Sequence, residues 1–218
     1  VNEDIDFGKY RDNQGEYSLR LQISKYLNTS RAVNCNAQQI ILCNGFADSM
    51  SLLAQLLNNR VDTLSIEEPG YHVVRRVFEN HNYNIKKINV DKNGICLDEL
   101  KNSKLLYITP SHQYPTGVAI PISNRIKLLE LANKQNSLII EDDYDSELTY
   151  KTRPIPSLQG LDKDDRVIYT GTFSKALSPA IRVSYIVLPN HLLEKYEERF
   201  SFHASRVCLM TQKTLEKF

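Results

Sequence analysis

Thr170-Gly171-Thr172-Phe173-Ser174-Lys175-Ala176-Leu177-Ser178-Pro179-Ala180-Ile181-Arg182 is the stretch on which the reading of this chain turns. Before it runs Arg166-Val167-Ile168-Tyr169, and after it Ser184-Tyr185-Ile186-Val187-Leu188; both are short apolar runs that read as buried strands. Between them stand two hydroxyls, Thr172 and Ser174, one lysine, and one arginine seven residues beyond the lysine. Lysines are mostly solvated, so an ordinary surface loop is one reading. The other is an amine presented deliberately between two core strands.

An amine so placed can condense with an aldehyde cofactor. Pyridoxal phosphate is the commonest such cofactor, and its phosphate calls for cations and hydroxyl donors, which Arg182, Thr172 and Ser174 can supply. An acylating Ser-x-x-Lys hydrolase fails locally. Thr172 stands three residues before Lys175, and no Ser-Asp-Asn or Lys-Thr-Gly partner occurs in the chain.

Upstream, apolar runs at Ile40–Cys43, Thr63–Glu67, Asn84–Ile88, Leu105–Ile108 and Leu138–Ile140 read as further strands. Helical spacing predicts helices over Tyr17–Asn28, Ala47–Leu57, from the Glu68–Tyr71 turn to about Phe78, and from a Ser123 cap to Gln135 with Ile126, Leu129 and Ala132 on its apolar face. Asn34 or Asn36 is placed to cap a short turn, Asp91–Gly94 reads as a turn, and the tail from Leu192 to Phe218 reads as mostly helix. This alternation predicts an α/β fold with a mainly parallel central sheet flanked by helices. In such sheets ligands bind at the carboxyl ends of the strands, and the chemistry-bearing residues fall there.

One such end is Glu141-Asp142-Asp143-Tyr144-Asp145. Period two puts Asp142 and Tyr144 on one face, Glu141 and Asp143 on the other. A carboxylate facing a pyridinium nitrogen keeps the ring an electron sink, and a phenol two residues on can reach the ring's 3-oxygen. The competing reading is an acidic strand end open to solvent. Asn44-Gly45-Phe46-Ala47 joins a strand to a helix N-terminus, where free N–H groups and the helix dipole suit an anion; plain strand–turn–helix packing explains it equally. Tyr71, after Pro69-Gly70, can stack on a flat cofactor or simply pack.

Composition sets the bounds. The chain has 218 residues, 41% hydrophobic and 24% charged, with a net charge of +1, ordinary for a soluble globular protein and without the clustered basic face of a nucleic-acid binder. The acidic start carries no apolar signal region, and no apolar stretch is long enough to span a membrane. Four scattered cysteines without a Cys-x-x-Cys pair fit reduced thiols of a cytoplasmic protein and no zinc site.

Taken together, Thr109-Pro110-Ser111-His112-Gln113-Tyr114-Pro115-Thr116-Gly117, Glu141-Asp142-Asp143-Tyr144-Asp145-Ser146-Glu147 and Gly171-Thr172-Phe173-Ser174-Lys175 resemble the fold-type-I pyridoxal-phosphate proteins of the aspartate-aminotransferase superfamily. The resemblance is nearest to the aminotransferase-like domain of the MocR/GabR group of GntR-family transcriptional regulators, and it runs in order from about Phe7 to the C-terminus. It implies that Lys175 forms an aldimine with pyridoxal 5'-phosphate. Asp142 would face the pyridine nitrogen and Tyr144 the 3-oxygen. Arg182, Thr172 and Ser174 would lie at the phosphate with the backbone N–H groups of Gly45, Phe46 and Ala47, and Tyr71 would stack on the ring.

Tyr10 matches a tyrosine that reaches the phosphate of the partner subunit, which implies a homodimer with shared sites. Two positions depart from the pattern: Phe46 where relatives often carry a hydroxyl, and Tyr114 where aminotransferases place an asparagine. The expected organisation is an N-terminal segment, 1–30, leading into a cofactor-binding large domain, 31–218. The small C-terminal domain and any winged helix would lie outside this chain, and DNA would be reached only through such a module. The expected role is sensing of an amino-group effector, with little transamination by this piece alone. The rivals are a class I/II aminotransferase acting on an amino acid and a non-catalytic α/β binding module.

Overall fold

The computed structural model describes residues 11–145 and 155–217. Eight strands form one sheet: β1 (Ile40–Cys43), β2 (Thr63–Glu68), β3 (Asn84–Asp91), β4 (Gly94–Ile95), β5 (Leu105–Ile108), β6 (Leu138–Asp143), β7 (Val167–Thr172) and β8 (Ser184–Val187). Their order is β1-β8-β7-β6-β5-β2-β3-β4. The stretch from β7 through β6, β5 and β2 to β3 is parallel, while β8 runs antiparallel to both β1 and β7. Strands β1, β5, β6, β7 and β8 are buried along their whole length; β1 and β5 read as continuous apolar runs, while β6 and β7 turn polar at their carboxyl ends.

Helices cover both faces. On one face, α2 (Phe46–Leu57), α3 (His72–Asn80) and α6 (Asn190–Phe200) pack Met50, Leu53, Leu57, Phe78 and Tyr196 onto Ile41, Leu64, Ile140, Ile168 and Ile186. On the other, α1 (Tyr17–Arg31) and α7 (Leu209–Leu215) set Leu19, Ile23, Leu27 and Leu215 on Ile40, Leu42 and Tyr185. Beside them α4 (Ile122–Gln135) and α5 (Leu158–Leu161) place Leu128, Ala132 and Leu158 against Leu106, Ile108 and Ile139. Truncating a fully buried residue such as Leu53 to Ala costs about 2–5 kcal/mol in a core of this kind.

Local chemistry sets the element ends. Asn36 accepts from the Gln38 N–H, while the Gln39 side chain accepts from the Asn36 N–H, which caps the short 3-10 turn Ala37–Gln39 before β1. Asn136, in the left-handed region, closes α4. The start of α4 differs from the expectation: its N-cap is Pro121, and Ser123 lies inside the first turn. Its buried face also differs, because Ile126 is exposed and Arg125 is fully buried. The guanidinium of Arg125 donates to the carbonyls of Ile120, Pro156 and Pro110, so hydrogen bonding outweighs apolarity at that position. The tail is two helices, α6 and α7, with a non-helical connection between them.

Candidate cofactor site

Strands β1, β2, β5, β6 and β7 run the same way, so their carboxyl ends share one edge of the sheet, and β8 starts there. Each motif quoted above arrives at that edge. Phe46, Tyr71, Asp142, Tyr144, Thr172, Ser174, Lys175 and Arg182 line one cavity of about 340 Å3, together with Tyr107, Thr109, Tyr114 and Pro179. Gly45 lies directly behind Arg182, Ala47 is exposed on the first turn of α2, and Tyr10 lies outside the described residues.

The floor is the end of β6. Glu141, Asp142 and Asp143 are 0%, 4% and 2% exposed, so the solvated reading of this acidic run is overturned. Strand alternation sends them apart as expected. Glu141 turns away and accepts from the backbone N–H groups of Leu158 and Gln159. Asp143 accepts from Arg31 at 2.7 Å and from the Tyr169 phenol at 2.6 Å. Asp142 faces the cavity and accepts from the Tyr107 phenol at 2.5 Å, with the Thr170 hydroxyl 3.4 Å from its other oxygen. Burial, opposed by the Tyr107 hydrogen bond and reinforced by the charge of Asp143, raises the Asp142 carboxyl to about 7.

Aromatic rings make the walls. Phe46 and Tyr71 have centroids 5.5 Å apart, Tyr71 and Tyr114 5.4 Å, and Tyr114 and Tyr144 6.4 Å. The Tyr144 phenol donates to the His112 carbonyl at 3.0 Å, and its ring stacks on the His112 imidazole. The Lys175 ammonium sits 4.8 Å from the centre of the Tyr144 ring. Behind the walls, Glu67 accepts from both the N–H and the hydroxyl of Thr109, and Gln113 donates to the Pro69 and Tyr114 carbonyls, which ties the two loops that carry Tyr71 and Tyr114.

At the far end, Thr172 accepts from the Ser174 N–H, fixing the turn that leads into Lys175. Arg182 has φ 53° and no carboxylate partner among the described residues. Gly45 has φ 82°, and a Cβ there would stand 2.5 Å from an Arg182 nitrogen. Only glycine permits both that backbone and that approach. The sequence reading did not single out Tyr107 or Thr109. The available signal was a lone phenol in an aliphatic strand and a hydroxyl at that strand's end.

A family model described as aminotransferase class I and II matches residues 2–216. The chain belongs to the class I and II aminotransferase family. Solved members share this fold. An archaeal alanine:glyoxylate aminotransferase superposes with a TM-score of 0.85 at 26% identity, over 95% of this chain and 54% of its own. A multiple substrate aminotransferase from Thermococcus profundus gives 0.82 at 28% identity, over 95% and 54%. Among curated relatives, the uncharacterized HTH-type transcriptional regulator YdeL of Bacillus subtilis (strain 168) is 44% identical over 206 residues, which are 94% of this chain and 44% of the relative. The probable rhizopine catabolism regulatory protein MocR of Rhizobium meliloti is 36% identical over 94% of this chain and 42% of its own length. This aminotransferase-family chain thus spans under half the length of the curated regulators it matches.

Proposed function

We propose that this chain is the pyridoxal-phosphate-binding core of an effector-sensing domain in a MocR/GabR-like transcriptional regulator. The observation that carries the reading is the convergence on one cavity of Asp142, at the end of β6, with Lys175 and Arg182 of the connection between β7 and β8. The residues fit the cofactor. The glycine-only cradle at Gly45, the first N–H groups of α2 and an arginine without a carboxylate partner suit a phosphate. A buried carboxylate suits a protonated ring nitrogen, and flat aromatic walls suit a ring.

When bound, the cofactor supplies an aldehyde and an electron-withdrawing ring. Lys175 would bond the aldehyde carbon through Nζ, with the aldehyde oxygen leaving as water. Asp142 would hold the proton on the ring nitrogen. Tyr144, whose phenol donates to the His112 carbonyl, would offer a donor to the ring oxygen, and Tyr71 a flat face to the ring. Arg182, Thr172, Ser174 and the amides after Gly45 would hold the phosphate. Phe46, Tyr71 and Tyr114 would give the ring an apolar wall. An amino-group ligand would compete with Lys175, and that exchange would be the signal. The match to HTH-type regulators at 44% and 36% identity supports a regulatory parent, with DNA contacted by a module outside this chain. Tyr10 would reach the phosphate of a second copy. In a mixture of Tyr10→Phe and Lys175→Ala chains, the Lys175-bearing site of the heterodimer should then hold cofactor normally; a site as weak as the Tyr10→Phe homodimer counts against sharing.

The test of the core reading is to reconstitute the chain with pyridoxal phosphate, treat it with borohydride and map the labelled peptide. Label on the peptide containing Lys175 is expected; label elsewhere overturns the assignment. The likeness to solved aminotransferases favours a second reading, an aminotransferase acting on an amino acid.

A further inference from the structure

Tyr107 sits in the middle of the sheet, 2% exposed, on a strand otherwise made of leucine and isoleucine. In register it stands opposite Ile140 of β6, so its ring points toward the strand end two residues on, where Asp142 lies. Its phenol donates to Asp142 Oδ2 at 2.5 Å, and the Phe46 ring packs edge-on at 6.4 Å to hold it. A phenylalanine would serve the packing as well; among the described residues the hydroxyl's hydrogen bond goes to Asp142. We propose that Tyr107 is a positioning residue for cofactor binding, whose phenol aims the Asp142 carboxylate at the cavity and keeps it ionised. The proposal rests on the reading that Asp142 meets the cofactor's ring nitrogen.

The surroundings make such a donor necessary. Asp142 is buried, Asp143 is its neighbour in the chain, and Asp145 also acts on it, so its anionic form is opposed from three directions. Asp143 is paired with Arg31, which softens one of these. Lys175 and Arg182 line the same cavity, with Tyr71 and Tyr144 beside them. The Tyr107 hydrogen bond and the more distant Thr170 hydroxyl are the interactions that favour the carboxylate. Burial beside Asp142 and Glu67 pushes the Tyr107 phenol well above its ordinary value, so it remains a donor across the neutral range.

The experiment measures the dissociation constant of pyridoxal phosphate from pH 6 to 9 for the unmodified chain, Tyr107→Phe and Asp142→Asn. A hydrogen bond to a charged group is worth roughly one to two pH units of ionisation. Tyr107→Phe should therefore move the midpoint below which affinity falls upward by about that much, and should approach the unmodified chain at pH 9. An unmoved midpoint, or a loss equal at every pH, overturns the proposal. Asp142→Asn should lose affinity and flatten the profile. If it binds as the unmodified chain does, the assignment of Asp142 falls instead. Should Tyr107→Phe not fold, 13C-aspartate NMR of the unmodified chain decides. The Asp142 carboxyl signal, identified by its loss in Asp142→Asn, must show a deuterium isotope shift from the phenolic proton, and its absence refutes the proposal.

Discussion

Asp142 and Asp143 are adjacent, both buried and both carboxylates, yet the structure gives them opposite work. Asp142 opens on the cavity; Asp143 holds Arg31 and Tyr169 on the far side of the sheet. Substituting them separates the two. Asp142→Asn is expected to leave the fold near its ordinary stability and to weaken cofactor retention at least tenfold. Asp143→Asn leaves Arg31 buried without its counter-charge and should cost about 3–5 kcal/mol of stability. Urea unfolding and equilibrium dialysis together measure both, and equal effects on retention with no loss of stability for Asp143→Asn would sink the strand-face assignment.

The elements are tied to the site by buried polar contacts. Arg31, at the end of α1, donates to Asp143 on β6 and to the Ser111 hydroxyl in the loop after β5. Arg31→Met should destabilise the chain by about 3–5 kcal/mol, and adding Asp143→Leu should restore part of it, because an apolar pair costs less than a lone buried charge. Strands β2 and β6 also carry Glu67, Glu141 and Asp142, all raised to about 7 chiefly by burial. Raised carboxyls mean that the folded chain binds more protons than the unfolded one. Their contribution to stability is full below about pH 4.5 and is lost as pH rises through 7. The cofactor-free chain should accordingly melt at a lower temperature at pH 8 than at pH 5.5, and Glu67→Gln should flatten that trend. A melting temperature that rises over this interval would refute the sign.

At the scale of the molecule, the question is turnover. Every residue assigned to holding the cofactor is in this chain, whereas positioning a substrate for bond cleavage can be worth roughly 7–11 kcal/mol of barrier. Among the residues lining the cavity the basic side chains are Lys175 and Arg182, both assigned to the cofactor, so none is left there to orient a substrate carboxylate. We expect this chain, incubated with pyridoxal phosphate, alanine or GABA and a keto acid, to change its visible spectrum with the amine and to exchange keto acid far below an enzyme's ordinary rate. Exchange at about 1 per second or faster would promote the aminotransferase reading.

What the sequence determined by itself follows from interactions that are local or periodic. Continuous apolar runs broken by Gly, Pro and Asn specify buried parallel strands, and period two already separates Asp142 from Asp143. The order of Gly45, Tyr71, Asp142, Lys175 and Arg182 along the chain was enough to place them all at strand ends. Tertiary structure alone decided the rest. That Tyr107 meets Asp142 depends on β5 lying beside β6 in one register, a pairing 35 residues apart in sequence. That Arg125 is buried while Ile126 is exposed depends on the carbonyls of Pro110 and Ile120, in the loop before α4, and of Pro156, 31 residues on, converging on one guanidinium. Periodicity assigns faces by apolarity, and it has no access to hydrogen-bond partners that only folding brings into reach.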